Sequence, residues 1–358
     1  MYLDPFLRVN LENGQIRRGS MNNITTINEI AKLAGVSRST VSRVINNDPN
    51  VRDRTRAKVQ AIIDEIGYQP NPVARSLISG RTRVLGLVIP MSYNSVFTDP
   101  FFGILSQGIS STCTVNNYTL MLWLIEPDYE KRANQNILNN RLIDGIIIAS
   151  NVIDDPLIEG LISRNVPLVL IGRNNRPEVS SVDADNVHGG MMAVRHLLST
   201  GRDQLATITG HMDLYSARDR LEGFKRGLQE KNLPILEERI AYGDYTEKGG
   251  YLQAKSLLTH SSFNGLFVAS DLMGFGALRA IHEAGLRVPE DIAVVGFDDI
   301  PAASRHMPSL TTIRQPIHQM GSIAAQTLID QLESGNTITP RRIILPTELV
   351  ARETTRGQ

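Results

Sequence analysis

The chain has 358 residues, of which 41% are hydrophobic and 21% charged, and its formal net charge is zero. This length fits one small domain and two larger ones, and no apolar run approaches the roughly 18 to 20 residues that cross a bilayer. The single cysteine, Cys113, excludes an intramolecular disulfide and a cysteine-rich metal site. We therefore expect a globular cytoplasmic protein without a cofactor.

The charges are distributed unevenly along the chain. Residues 21–83 contain ten Lys and Arg against five Asp and Glu, whereas residues 84–358 contain 24 against 30. A basic segment ahead of an acidic body favours contact between that segment and a polyanion, although many solvated helices are as basic. Residues 1–22 show no regular periodicity and are expected to form a flexible extension.

Residues 26–47 predict two short helices joined by a tight turn. Thr26 and Glu29 have the spacing of a capping box, Gly35 is suited to end the first helix, and Ser37 is placed to cap the second. This pattern is typical of a helix-turn-helix, whose second helix enters the major groove of DNA. An ordinary helical hairpin is the alternative. The residues predicted to face the core are Ile30, Leu33, Ala34, Val41 and Val44.

From residue 84 onward, short apolar runs alternate with helical stretches. Continuous Val, Ile and Leu strands separated by helices are what a parallel sheet covered on both faces requires. The body is therefore expected to be α/β, with two doubly wound parallel-sheet lobes that bind a ligand at the carboxyl ends of their strands. The predicted strands are 84–90, 118–125, 144–150, 166–172, 204–210, 264–270 and 291–299, and the predicted helices include 100–110, 189–201 and 216–232.

An enzyme is the main competing class, because similar folds carry catalytic sites. The chain lacks a Walker A loop, a GxSxG and an HExxH motif, and residues 274–279 lack the third glycine of a dinucleotide fingerprint. Its seven histidines show no metal-ligand spacing. An exported solute-binding protein would share the lobes but would carry an N-terminal signal and no DNA-binding segment. Neither catalysis nor export is predicted.

Several segments together resemble the lac/gal repressor family of transcriptional regulators. The segment TINEIAKLAGVSRSTVSRVIN at residues 26–46 resembles the N-terminal signature of that family, and residues 55–77 resemble its third helix and hinge. The resemblance implies a homodimeric repressor that binds operator DNA, with a sugar-like or purine-like effector between two lobes of periplasmic-binding-protein type. Further similar segments are residues 181–190, 216–224, 267–299, 308–316 and 344–354.

The resemblance also implies a domain organisation. A helix-turn-helix domain would cover residues 23–70, a hinge 71–83, and an effector-binding and dimerisation domain 84–358. Lobe one would comprise about residues 84–184 and 317–344, and lobe two about residues 185–313 and 345–358. The chain ends without a leucine heptad, so a dimer is favoured over a tetramer.

The family's base-reading positions correspond to Arg38 and Ser39, with Arg43 at a third such position. Arginine can bond guanine bidentately, although each arginine could instead contact a phosphate. Thr40 and Ser42 are expected to hold the DNA backbone.

Two further expectations concern the third helix and the hinge. Arg52 stands where the family usually has a capping serine, so Asp53 is expected to cap this helix one residue later. In the hinge, the resemblance implies that Leu77 inserts into the minor groove with Ala74 packed beside it. Without the resemblance, Leu77 would be a linker residue buried against the body.

Arg220 and Asp298 correspond to family residues that hold polar groups of the effector. Guanidinium donors and carboxylate acceptors together suit neighbouring hydroxyl groups. As alternatives, Arg220 could pair with Asp219 or Glu222 on a solvated helix face, and Asp299 could bind the effector in place of Asp298.

Phe101 and Phe102 follow the first strand, where family members place an aromatic ring against the effector, and at least one of them is expected in the core. Ser270 stands where some sugar-binding relatives have asparagine. A mono- or disaccharide is the leading effector, with a purine or a sugar phosphate as alternatives. Weaker candidates for effector contact are Arg173, Asp185 and Asp271.

Overall fold

A computed structural model describes residues 26–45, 48–68, 81–90, 93–124, 135–137, 139, 142–149, 152–334 and 339–356. The chain divides into two compact units, Met1–Gly80 and Arg81–Gln358. Within the described ranges, no helix is long and apolar enough to cross a membrane. The expected extension over residues 1–22 and the hinge residues Ala74 and Leu77 lie outside the described residues.

The described part of the first unit contains three helices, α1 (Ile27–Ala34), α2 (Arg38–Ile45) and α3 (Asp53–Ile66). The predicted capping box is confirmed, because Thr26 Oγ1 accepts from Glu29 N at 3.4 Å and Glu29 Oε2 accepts from Thr26 N at 2.7 Å. Gly35 ends α1 with φ 64°, a left-handed conformation that glycine adopts without steric cost. The two predicted helices and their turn are therefore present.

Two local predictions for the first unit are wrong. Leu33 is 62% exposed, whereas Ala31 is buried together with Ile30 and Ala34. Asp53 does not cap α3: Arg52 holds the N-cap position without a side-chain hydrogen bond, and Asp53 is the first residue of the helix. There its negative charge still favours the positive end of the helix dipole.

The first sheet of the second unit has six strands, which are β1 (Val84–Ile89), β2 (Thr119–Leu124), β3 (Gly145–Ile148), β4 (Leu168–Ile171), β5 (Ser180–Ala184) and β11 (Arg342–Leu345). The helices beside it are α4 (Tyr93–Thr98), α5 (Pro100–Val115), α6 (Pro156–Ser163) and α11 (Ile317–Glu333). All six strands are parallel, in the order β11-β5-β4-β3-β1-β2. Helices α5 and α11 cover one face, where Leu87 and Ile147 are buried, and α6 covers the other, where Val88 and Ile146 are buried. This sheet and these helices are called lobe one below.

The second sheet also has six strands, which are β6 (Leu205–Thr209), β7 (Ile240–Tyr242), β8 (Gly265–Val268), β9 (Ala293–Asp298), β10 (Thr311–Arg314) and β12 (Glu348–Val350). Its helices are α7 (Asn186–Ser199), α8 (Tyr215–Gln229), α9 (Glu247–His260) and α10 (Asp271–Glu283). The strands lie in the order β12-β10-β9-β8-β6-β7, and the helices cover both faces of the sheet. This sheet and these helices are called lobe two, so the expected pair of doubly wound α/β lobes is confirmed.

The parallel pattern is broken at one strand. β12 pairs antiparallel with β10, whereas the other pairs in that sheet are parallel. Only two residues separate β11 in lobe one from β12 in lobe two. The chain therefore enters the second sheet at the carboxyl ends of its strands and has to run in the opposite direction.

Helices α7 and α8 pack in close contact through glycine. A Cβ atom added to Gly223 would lie 2.1 Å from the carbonyl oxygen of Val187, and one added to Gly190 would lie 2.5 Å from that of Arg220. No side chain fits between these backbones. The two glycines therefore fix the position of α8 against α7.

Gly223→Ala is expected to lower the free energy of unfolding by about 1 to 3 kcal/mol, because the added methyl group forces α7 and α8 apart. Urea denaturation of the full chain measures this change. Gly103→Ala is the control, because Gly103 is exposed on α5 with nothing within 4 Å of an added Cβ. That variant should gain stability, by at most about 1 kcal/mol. Equal stability of the two variants would contradict the packing argument.

Candidate functional site

A cavity of about 340 Å³ lies between the two lobes of the second unit. Much of its lining comes from residues at or just after the carboxyl ends of strands in both sheets, because these ends face each other across the cleft. From lobe one these residues include Pro90, Ala149, Gly172 and Asp183, and from lobe two they include His211, Asp244, Asp298 and Gln315. The cavity therefore requires both lobes.

Arg220 on α8 lines this cavity and is only 5% exposed. Its Nε donates to Asn186 Oδ1 at 2.8 Å and its Nη1 donates to the carbonyl oxygen of Ala269 at 2.6 Å. The guanidinium carbon lies 3.7 Å from the ring centroid of Phe297. These contacts hold the guanidinium plane in one orientation at the cavity wall.

The two acids proposed as alternative partners of Arg220 pair with other arginines. Asp219 forms an ion pair with Arg173, and Glu222 forms one with Arg226. Within the described residues, the carboxylate nearest to the Arg220 guanidinium is that of Asp298, at 3.5 Å from Nη1.

Asp298 is the last residue of β9, is 8% exposed and lines the cavity. Its Oδ1 also accepts from Gln315 Nε2 at 2.6 Å. Burial raises the pKa of Asp298 to about 7, although the nearby Arg220 acts to lower it. Asp298 has φ 117° and Asp299 has φ 58°, so two successive non-glycine residues hold backbone conformations that cost energy.

Asp299 points away from the cavity into a cluster of arginines. Its Oδ2 accepts from Arg314 Nε at 2.7 Å and its Oδ1 accepts from Arg352 Nη2 at 2.5 Å. Of the two acids that the sequence left open, the structure therefore places Asp298 at the cavity, and Asp299 holds the turn that follows it.

Asp271, a predicted effector contact, is completely buried and lies outside the cavity lining. Its Oδ1 accepts from Thr312 Oγ1 at 2.5 Å and its Oδ2 accepts from Ile300 N at 2.9 Å. Burial raises the pKa of Asp271 well above its ordinary value, and the neighbouring Asp298 raises it further. In this position Asp271 supports the turn after Asp298. Its neighbour Ser270 caps α10 by accepting from Met273 N.

Both predicted aromatic residues line the cavity. The rings of Phe101 and Phe102 lie edge to face, with centroids 5.2 Å apart. Phe102 is buried in the core, as expected for one of the pair, and Phe101 is half-buried. Asp99 caps their helix by accepting from Phe101 N at 2.9 Å.

The weaker candidates Arg173, just after β4, and Asp185, in the crossover between the lobes, lie outside the lining. Arg173 is exposed and pairs with Asp219. Asp185 caps α7, with its Oδ1 accepting from His188 N at 3.0 Å. Their side chains thus have partners within the protein.

Sequence reasoning missed several polar residues of the cavity wall. Asp183 and Asn186 flank the first crossover between the lobes, and the Asp183 carboxylate accepts from Asn186 Nδ2 at 3.0 Å. Burial raises the pKa of Asp183 to about 6, and desolvation also raises the pKa of Asp99. The segment SVDADN contained the signal, because polar residues directly after a parallel strand lie at the ligand edge. The other missed lining residues include Asp99, Ser216, Tyr245 and Gln315.

In the first unit, α2 presents Arg38, Ser39 and Arg43 as exposed residues, while Val41 and Val44 are buried on the opposite side. Ser37 Oγ accepts from Thr40 N at 3.1 Å and thus caps α2, as predicted. The same oxygen lies 2.7 Å from Ser39 Oγ and 2.8 Å from Thr40 Oγ1. Arg43 Nε lies 3.7 Å from Asp48 Oδ2, so these two side chains form an ion pair. Ser42 is half-buried.

Comparison with known proteins gives matches over both units. Residues 26–71 match the family described as bacterial regulatory proteins, lacI family, and residues 194–355 match the periplasmic binding protein-like domain. The ribose operon repressor of Escherichia coli K12 is 36% identical over 335 residues, which cover 92% of this chain and 99% of that repressor.

Solved structures are similar over the same range. The complex of the transcriptional regulator CelR with cellobiose has a TM-score of 0.74 and 35% identity, covering 92% of this chain and 99% of CelR. The lac repressor dimer bound to operator and the anti-inducer ONPF has a TM-score of 0.80 and 31% identity, covering 93% of this chain and 99% of that one.

The chain combines a helix-turn-helix unit with a two-lobed unit that encloses a polar cavity. This combination defines a DNA-binding transcriptional regulator under the control of a small molecule. The chain belongs to the LacI family of bacterial regulatory proteins. Because its relatives over nine-tenths of its length are regulators, the protein is a regulator and not an enzyme.

Asp298→Asn should flatten the pH dependence of stability. An acid with a raised pKa in the folded state stabilises the fold at low pH, and this contribution is lost as the pH rises from about 4 to about 7. Between about pH 5 and about pH 8 the variant should therefore lose less unfolding free energy than the wild type, as measured by urea denaturation.

The control for this experiment is Asp291→Asn. Asp291 is an acid whose pKa Arg287 holds below its usual range, so it stays ionised throughout this pH interval. Parallel pH profiles for the wild type and Asp298→Asn would contradict the assignment.

Proposed function

We propose that this protein is a transcriptional repressor that responds to a neutral sugar and binds operator DNA as a homodimer in the cytoplasm. The observation that carries the effector class is the pairing of buried Arg220 with the Asp298 carboxylate at the wall of a cavity between two lobes. The relative CelR has been solved with cellobiose, which supports a sugar.

The polar groups of the cavity suit hydroxyl groups. A sugar hydroxyl both donates and accepts, so the carboxylates of Asp183 and Asp298 can accept from it while Arg220 donates to it. The half-buried ring of Phe101 offers an apolar face for the carbon side of a sugar ring. These groups together favour a hydroxyl-rich ring.

The charge of the lining argues against an anionic effector. Among the residues that the structure describes, Asp99, Asp183 and Asp298 line the cavity beside one guanidinium, that of Arg220. Asp183, whose pKa burial raises only to about 6, is largely ionised at neutral pH, so a phosphate would meet a negative charge in a partly dehydrated environment, where repulsion between like charges is strong. We therefore favour a neutral sugar over a sugar phosphate, and a purine is left as an outcome of ligand screening.

The proposed dimer contact uses an apolar groove on lobe two. The rings of Phe275 and His306 stack with centroids 5.0 Å apart, and Met307 beside them is 90% exposed. Leu278 and Val288 also line this groove. A large apolar patch of this kind is typical of an interface, and a second copy of the chain is the proposed occupant, in keeping with the dimer of the lac repressor.

The proposed DNA contacts follow the exposed side of α2. Arg38 and Ser39 would read base edges together with Arg43, and Thr40 and Ser42 would hold phosphates. The minor-groove contact of Leu77 and Ala74 stays a prediction from the sequence.

Effector binding would change the relative position of the two lobes and thereby change the affinity for operator DNA. The coupling free energy between two such sites is typically about 1 to 3 kcal/mol.

Arg38→Ala should relax base preference at one symmetric position in each operator half-site, at about 1 to 3 kcal/mol per contact. Binding to an operator selected from random DNA, and to its single-base variants, measures this preference. Arg54→Ala removes the same charge from an exposed position on α3 and should leave base preference unchanged. Uniform weakening on all sequences would make Arg38 a phosphate contact.

Arg220→Ala should abolish the effect of sugar on operator affinity and leave sugar-free operator binding nearly intact, because the DNA contacts lie in the other unit. Operator titrations with and without the sugar found by thermal-shift screening test this, with cellobiose and ribose included in the screen. Arg218→Ala on the same helix is the control, since Arg218 is exposed. A variant that responds at the wild-type sugar concentration would disprove the role of Arg220.

A further inference from the structure

We propose that Arg173 is a positioning residue that holds the two lobes together, and so adds to effector affinity without contacting the effector. Arg173 belongs to lobe one and directly follows Gly172, a residue of the cavity wall. Its Nη2 lies 3.0 Å from Asp219 Oδ1 on α8 of lobe two, and its guanidinium lies 4.8 Å from the centroid of the Tyr215 ring on the same helix. Both contacts cross from one lobe to the other.

The burial of the two partners shows why this ion pair matters. The side chain of Asp219 is 12% exposed and that of Arg173 is 50% exposed. Burial raises the pKa of Asp219, and Arg173 acts in the opposite direction. A carboxylate that has lost much of its water needs a close counter-charge, which here comes from the opposite lobe.

Arg173 also screens a repulsion between the lobes. Besides burial, the charge of Asp219 in lobe two raises the pKa of Asp183 at the end of β5 in lobe one, while Arg220 and Arg173 lower it. Loss of Arg173 would leave Arg220 as the remaining guanidinium that offsets the repulsion between these two acids. It therefore removes an attraction between the lobes and weakens the screening of a repulsion, and both effects favour separation of the lobes.

A backbone hydrogen bond between the lobes provides a direct measure of their separation. Ile153 N, in the segment after β3 of lobe one, donates to the carbonyl oxygen of Asp213 in lobe two at 3.0 Å. Val152 and Leu214 form an antiparallel bridge at the same place. When the lobes separate, the amide of Ile153 loses its acceptor and exchanges its hydrogen with solvent.

The consequence for the effector rests on the proposed function. The cavity takes Phe101 from one lobe and Arg220 and Asp298 from the other, so an effector can contact all three only when the lobes are together. A residue that favours the closed arrangement raises the apparent affinity by raising the fraction of binding-competent protein. Arg173 has this role at the edge of the cavity, outside the lining.

Hydrogen exchange of the full chain without added sugar tests the proposal directly. In Arg173→Gln, exchange at Ile153 should accelerate about threefold to tenfold, the size expected for a partly buried ion pair. In the double variant Arg173→Gln with Asp219→Asn, exchange should return toward the wild-type rate, because the unpaired charge is gone. Mass spectrometry of peptides that contain Ile153 gives the rate.

The matched control is Arg176→Gln. Arg176 pairs with Glu159, so this variant breaks an ion pair within lobe one and should leave exchange at Ile153 unchanged. Unchanged exchange in Arg173→Gln, or equal acceleration in Arg176→Gln, would overturn the proposal.

A cellobiose titration by calorimetry separates this proposal from the proposed function. Arg173→Gln should bind cellobiose about threefold to tenfold more weakly than the wild type, and Arg176→Gln should bind it equally well. If the wild type binds neither cellobiose nor any other sugar, the proposed effector class fails while the exchange result still judges the role of Arg173. If Arg173→Gln has wild-type affinity but faster exchange, its role in effector affinity is wrong.

Discussion

The carboxyl ends of the strands in both sheets face one cleft, and the remaining features of the second unit depend on this arrangement. Three short connections cross between the lobes there, after β5, after β10 and between β11 and β12. A connection that leaves a strand at its carboxyl end has to cross at that edge, so polar residues from both lobes meet without any long loop. The antiparallel direction of β12 and the composition of the cavity wall both follow from this arrangement of the strand ends.

Polar groups in such a cleft are dehydrated, and the structure compensates for this at each of them. Arg220 has acceptors in Asn186 and Ala269, and Asp298 has donors in Gln315 and Arg220. The strained turn at Asp298 is held from behind by Asp271 and by the ion pairs of Asp299. Each partner lowers the free-energy cost of burying a charged group and fixes the orientation of its side chain before an effector binds. The side chains therefore lose less conformational freedom when the effector binds.

Seven of the twelve strands were predictable from their apolar runs, and five were not. All seven predicted strands occur within two residues of the expected ends. Most of them are continuous Val, Ile and Leu runs that are buried on both faces of a sheet, whereas β2 is an apolar strand at the sheet edge whose residues are exposed or half-buried. Five others, β5, β7, β10, β11 and β12, were not predicted. They include sequences such as SSVDA and TTIR, which become strands through pairing with neighbours that are distant in the chain. Leu33 likewise fits the helical spacing of apolar residues in α1 but is exposed. The spacing of apolar residues does not determine how wide the buried face of a helix is.

The sequence by itself determined the class of each unit, the capping box and turn of the helix-turn-helix, and, through resemblance, the expectation that Arg220 and Asp298 lie at the cleft. These follow from patterns along the chain, where neighbours in sequence are neighbours in space. Only the tertiary structure decided that Asp298 and not Asp299 faces the cavity, that Asp271 lies behind it, and that Arg173 reaches Asp219 in the other lobe. The direction of a side chain after a strand end depends on local φ and on partners far along the chain, and neither is written in residue spacing.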